Sequence, residues 1–449
     1  MLYKLHNNIL IIGLLLIGFF AAMMMERAMN LVTIVTVFAY ISQLFLLLFF
    51  SNEKDVYYTS KSLFGIVLFY NLALATLIIV VSNAYGGESF LLSDGDAAKY
   101  FREGIKSSKL GFVENARRIF RTFGSDEWGA MLFSSFMLYI VPSRFFVNAF
   151  YIFTGVVSSV MLFRIGKYFM PNAYAFLAAL AYGTSSYLIL FHCTFLKESL
   201  FLFFIITAMY FFYRSIIDGK HEFLVGVLIC LFCIFFFRPA VTAFLIISFV
   251  SYYAIKLRGS AVSLFLYLVI AVGLVLSITF LQSQVDRYTA GGDTDKILAE
   301  SSSGNYSGSF NFFVSWFASL FGPFPTLFPQ VNRSPMPVHI YGAGLVYKAF
   351  LVIPFWLGVL FAVARWNIRI FPMIMFVVTE MAASAMVLAS FELRKVVLHM
   401  PFVYIISFYG LSRLQKSVFF SEPLKRIAEF ASYAFAIGAL FLWTVIRTK

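Results

Sequence analysis

Residues 63–82 read LFGIVLFYNLALATLIIVVS, an unbroken stretch without Asp, Glu, Lys, Arg or His. As a helix rising ~1.5 Å per residue it reaches about 30 Å, the thickness of a bilayer's hydrocarbon core. A membrane β-strand would instead alternate apolar and polar positions over roughly 10 residues. Residues 240–255 (AVTAFLIISFVSYYAI) and 261–281 (AVSLFLYLVIAVGLVLSITFL) have the same continuous character. Of 449 residues, 61% are hydrophobic, 12% are charged and 58 are Phe, so these runs set the class of the whole chain. That class is an all-α polytopic membrane protein.

Apolar runs predict spans near 8–25, 31–50, 63–83, 145–163, 172–192, 199–216, 221–238, 240–256, 261–281, 343–364, 370–390, 396–412 and 428–446, about 13 transmembrane helices. Lys4 followed by an apolar run from Ile9 resembles a signal peptide in outline. No small-residue cleavage site follows it, so the run reads as a retained first helix. Cys193, Cys230 and Cys233 supply no disulfide framework, and Cys230 and Cys233 sit one turn apart in an apolar run. Packing, with no metal site, is the expectation for them.

The net charge of +13 comes from basic residues scattered through short inter-helix loops, a distribution that speaks of topology and not of nucleic acid. The apolar segment 129–141 is about 13 residues long and is closed by Pro142, short of the ~20 needed to span. Treated as re-entrant or juxtamembrane, it puts Arg164/Lys167, Arg214/Lys220, Lys256/Arg258, Arg365/Arg369 and the run from Arg413 to Arg426 in the cytoplasm together. The chain then divides into N-terminal helices 1–83, an outer-face loop 84–144, a central core 145–281, a second outer-face loop 282–342 and C-terminal helices 343–449. The second loop pairs a Ser/Gly stretch at 301–308 with an aromatic, proline-punctuated half at 310–330 that reads as a lid.

Chemistry concentrates on the outer face of this arrangement. The turn Asp94-Gly95-Asp96-Ala97-Ala98-Lys99-Tyr100 places carboxylates at a membrane edge. Lys197 beside Glu198, Arg238 before Pro239, and Arg394-Lys395 fall at helix ends on the same side. Each admits a plain account, as an ion pair such as Lys197/Glu198 or a snorkelling arginine such as Arg238. Together, beside the acidic turn, they suit a phosphate-bearing lipid held by charge-assisted hydrogen bonds. Glu380 is an ionisable group well inside a predicted span, where pairing with a cation or a role in catalysis would retain it.

The order of these motifs resembles the GT-C superfamily of integral-membrane glycosyltransferases, in particular the protein O-mannosyltransferase and aminoarabinose transferase branch. Asp96 followed by Tyr100, the segment Trp128 to Phe145, Leu196-Lys197-Glu198, Phe237-Arg238-Pro239 and Arg394 to Gly410 with Pro401 are collinear with that family's elements. Two departures stand out: three predicted helices precede the acidic loop where one is usual, and Ala97 stands where the family's second carboxylate would be. Asp94 could supply that charge. The same features resemble bacterial surface-polysaccharide polymerases, which also rely on outward-facing Arg and Lys.

The resemblance implies a GT-C-like core and inverting transfer from a polyprenyl-linked sugar to a lipid-linked glycan or other hydroxyl acceptor. Asp96 would be the general base with Asp94 as partner. Tyr100, Lys197, Glu198, Arg238, Arg394 and Lys395 would bind substrate, the cations stabilising the leaving phosphate. No cofactor is required with certainty, and a divalent cation stays open. The implied location is a bacterial inner membrane, with the active site on the outer face. A transporter or flippase of lipid-linked or anionic substrates is the rival class; it would carry internal repeats and ionisable groups near the midplane, and no repeat is evident.

Overall fold

The computed structural model describes residues 31–51, 57–84, 96–124, 127–270, 272–273, 335–388 and 397–416, with short pieces of 422–438. Among the described residues every regular element is a helix. In chain order these are α1 (Leu31–Ser51), α2 (Ser60–Ala84), α3 (Asp96–Ser108), α4 (Phe112–Thr122), α5 (Trp128–Ile140), α6 (Arg144–Gly166), α7 (Asn172–Gly183) and α8 (Ser186–Cys193). They continue with α9 (Glu198–Ile217), α10 (Phe223–Phe235), α11 (Pro239–Lys256), α12 (Ala261–Ile270), α13 (Pro335–Ala364), α14 (Phe371–Leu388) and α15 (Met400–Lys416).

Among the described residues four helices are long and apolar enough to cross a membrane: α6, α9, α11 and the Ser60–Val80 part of α2. The pair α7 and α8, bent by 47°, makes a fifth if it is one broken span. Phe69, Phe232 and Leu264 are exposed on the outside of the bundle, where lipid and not water would cover them.

The centre of the bundle is the α7–α8 pair, in which nearly every residue of both helices is buried. A helix apolar on all sides belongs in such a position. A single span over 172–192 is the sequence expectation, and the structure breaks it at Thr184-Ser185. The carbonyls freed at the break are satisfied by distant side chains. Asn71 Nδ2 of α2 donates to Gly183 O at 2.7 Å, and Gln43 Nε2 of α1 donates to Ala181 O at 3.0 Å. Without water in the surroundings those carbonyls require such donors, so α1 and α2 fix where the helix bends. Gly183 itself has no room for a Cβ, which would meet Val67 and Ser159.

At the short turns the backbone follows residue chemistry. Gly219 (φ +70°) and Gly259 (φ +88°) take the left-handed conformation between α9 and α10 and after α11. Pro239 opens α11 at a position where its missing N–H costs nothing. Packed on the α7–α8 pair, α13 and α15 cross with backbones in contact through Gly358 and Gly410, as small residues permit. Helix α13 begins at Pro335, several residues before the expected start at 343.

The amphipathic α3 rests on α5 with Ala97, Tyr100, Gly104 and Ser107 turned inward, a helical spacing. A Cβ at Gly104 would lie 2.9 Å from Leu138 Cδ1, so glycine there allows the close approach. Lys99 Nζ reaches Glu127 at 2.8 Å, and Glu103 binds Lys106 at 2.7 Å and Arg118 of α4 at 2.8 Å. At 13 residues, α5 rises about 20 Å, less than a bilayer core. Its first turn is tied to the end of α10 through Gly129 N to Phe236 O at 2.7 Å, and Phe133 further along stacks on Tyr151 near the start of α6.

Candidate functional site

The site is assembled where α8, α9, α10 and α11 meet. The turn after α8 runs through Phe195, whose φ of 58° places a bulky side chain in the left-handed region. Such a conformation costs on the order of 1–3 kcal/mol and persists only where packing over-determines it. Phe195 is fully buried, with ring centroids 5.6 Å from Phe101 of α3 and 6.3 Å from Tyr151 of α6. That packing holds the strained turn, and the turn delivers Lys197 and Glu198 to the same point.

Glu198 opens α9, where a helix N-terminus favours a carboxylate, and its side chain is 2% exposed. Arg238, in extended conformation just before α11, brings Nη2 to 3.5 Å from Glu198 Oε1, its own side chain 25% exposed. The guanidinium also lies 5.9 Å from the ring centroid of Phe201, one turn along α9. Lys197 is buried with Nζ 6.0 Å from the ring centroid of Tyr100, a residue itself 2% exposed. Tyr100 lies one turn after Asp96, the residue that opens α3. Tyr151 completes the wall: its hydroxyl is hydrogen bonded to the Ser134 side chain of α5 and feels the charge of Glu198.

Arg238 meets the Glu198 carboxylate, and Lys197, one residue before it, lies over the Tyr100 ring. Glu198 Oε2 is buried without a hydrogen-bond partner among the described residues. A buried acceptor in that state carries the cost of desolvation until a donor arrives. An O–H or N–H donor placed at Glu198 Oε2 would satisfy it.

Of the residues singled out in the sequence, Lys197, Glu198, Arg238 and Tyr100 are brought together here. The helix opened by Asp96 is part of the same assembly, while Asp94, Arg394 and Lys395 lie outside the described residues. So do the lid expected over 310–330 and the Ser/Gly stretch 301–308. Tyr151, Ser134 and the strained Phe195 escaped sequence reasoning. A tyrosine and a serine inside apolar segments carry no local signal, and positive φ at a phenylalanine has none at all.

The basic loops gather elsewhere. Tyr168 beyond α6 donates to Asp218 Oδ2 beyond α9 at 2.8 Å, Tyr174 at the start of α7 donates to Gln415 near the end of α15, and Arg258 lies 5.9 Å from the Trp366 ring centroid. These contacts join the loops that carry Lys167, Lys220, Arg258, Arg365 and Arg413 at the opposite ends of helices from Lys197 and Arg238.

No family model, no curated protein and no solved structure matches the chain.

Proposed function

We propose that the protein is a membrane glycosyltransferase of GT-C type, moving a sugar or glycan from a polyprenyl-(pyro)phosphate donor to a hydroxyl acceptor in cell-surface glycan assembly. The observation that carries this reading is the convergence of Lys197, Glu198, Arg238 and Tyr100 beside the helix opened by Asp96. Lys197 and Arg238, joined by Arg394 and Lys395 of the segment before α15, hold the lipid phosphate by charge-assisted bonds. Asp96 takes the proton of the acceptor hydroxyl as its oxygen attacks the anomeric carbon, and the phosphate leaves as a stable anion. Glu198 Oε2 accepts a hydroxyl of the sugar or the acceptor. A polysaccharide polymerase of the O-antigen or capsule type would use the same parts.

The complete chain in this proposal has about 13 spans and two outer-face loops. By the positive-inside rule the end bearing Lys167, Arg258 and Arg413 faces the cytoplasm, which puts the site on the outer face of a bacterial inner membrane. Transport of a lipid-linked or anionic substrate is the second reading. The buried ionisable cluster of Lys348, Glu380 and His399 and the broken α7–α8 pair favour it.

Membranes carrying each variant, assayed for glycan assembly, separate the two. Asp96→Asn keeps shape but removes the base, so turnover should fall at least ~10²-fold with donor binding retained. Arg238→Ala should weaken donor binding as well as turnover, because the phosphate is present in ground and transition states alike. A folded, inserted Asp96→Asn protein with full activity would defeat the transferase assignment.

A further inference from the structure

Away from this site, three ionisable side chains, two from helices and one from the turn ahead of α15, meet inside the bundle. Lys348 of α13 is 1% exposed, Glu380 of α14 is 3% exposed and His399, just ahead of α15, is fully buried. His399 Nδ1 and Glu380 Oε2 are hydrogen bonded, and the charge of Glu380 acts on Lys348. His399 Nε2 has no hydrogen-bond partner among the described residues.

A structural ion pair between α13 and α14 would need only Lys348 and Glu380. The histidine is additional, and its second nitrogen is left open in a place where an unmade hydrogen bond is costly. A carboxylate on Nδ1 fixes the ring and its tautomer, which leaves Nε2 as the atom able to take a proton. The Glu380 charge favours a cation at Lys348, and a neutral imidazole hydrogen bonded to the carboxylate is the state in which Nε2 can take a proton.

We infer that Lys348, Glu380 and His399 form an intramembrane proton-exchange site, with His399 Nε2 the atom through which the proton enters and leaves. On uptake, a proton from water forms the N–H bond at Nε2 while the Nδ1 proton passes to Glu380 Oε2. The imidazole ends neutral and the carboxylate becomes a carboxylic acid, so the His399–Glu380 pair gains one positive charge.

The rings of Tyr182 and Tyr404 lie 6.1 Å apart, and Tyr174 meets Gln415, so α15 runs antiparallel to α7–α8. His399 therefore sits toward the Lys197 end of the bundle. Among the described residues, the titratable groups on the helices packed around the cluster include the phenols Tyr151, Tyr174, Tyr182, Tyr187, Tyr252, Tyr253, Tyr404 and Tyr409, the imidazole His192 and the thiol Cys193. Lys256 and Arg413 lie at the far ends of α11 and α15. The inference does not depend on glycosyl transfer and would stand if that reading failed.

Infrared titration of the full chain in lipid nanodiscs tests it. Lowering the pH should raise a carboxylic C=O band that shifts in deuterium oxide, is absent in Glu380→Gln, and moves its midpoint by about one pH unit or more in His399→Gln. Lys348→Met should move the midpoint too, which covers the case of a His399 variant that does not fold. A Glu380 band that is insensitive to both substitutions, one that fails to shift in deuterium oxide, or no titrating Glu380 band would overturn the inference and leave a static ion pair.

Discussion

At the scale of single residues, the account turns on a carboxylate that the fold buries and half-satisfies. Glu198 has one oxygen on Arg238 and the other without a donor among the described residues, at the start of a helix and behind a turn held in strained conformation by Phe195. A purely structural pair would fill both oxygens. The two roles separate in a double-mutant cycle measured by thermal unfolding in detergent. Arg238→Gln should destabilise by about 1–3 kcal/mol, because it leaves a buried carboxylate without its cation. Glu198→Gln combined with Arg238→Gln should recover most of that loss, the pair being coupled, without recovering glycan assembly. Stability and activity returning together would reduce the pair to a structural tie. Lys197, Glu198 and Arg238 were legible in the sequence because charges at the ends of apolar runs stand out. Lys348 and His399 were not, although Lys348 falls inside the predicted span 343–364, because a lone cation gives no hint of the partner that a distant helix will bring.

At the scale of elements, the apolar runs located α1, α2, α6, α9, α10, α11 and α14 to within a few residues, since a bilayer allows little else to a long uncharged segment, while the span expected over 8–25 lies outside the described residues. What the runs did not carry was the break between α7 and α8. It depends on Asn71 and Gln43, more than a hundred residues earlier, which satisfy the freed carbonyls. The docking of α4 on α3 is the element most open to test. Glu103 has its carboxyl held below the usual 4.5, first by the hydrogen bond from Lys106 and then by the charges of Lys106 and Arg118. A carboxylate with a depressed folded-state value adds stability above its ordinary value. That contribution is lost as pH falls through the lowered one. Hydrogen exchange of α4 amides should therefore be unchanged from neutral pH down to about 4.5 and accelerate below it, once intrinsic rates are corrected. Glu103→Gln should show the faster exchange at every pH, and an α4 whose protection ignores both pH and Glu103→Gln would contradict this attachment.

At the scale of the molecule, the helices sort charge by end: Lys197, Arg238 and the α3–α5 cover at one, and the loops with Lys167, Arg258 and Arg413 at the other. That sorting is what makes a one-sided site reasonable in a chain whose charged residues are only 12% of the total. Cysteines substituted at Lys167 and at Arg102 of α3 should label from opposite sides of sealed vesicles; labelling from one side would break the topology. The central claim is that the cations beside Glu198 hold a lipid phosphate. A structure of the full chain in nanodiscs with bound polyprenyl phosphate tests it most directly. The account predicts the phosphate oxygens on Lys197 and Arg238 at about 2.7–2.9 Å, beside the start of α3, with occupancy lost in Arg238→Ala. A phosphate bound at the opposite end of the helices, or unchanged by Arg238→Ala, would contradict it.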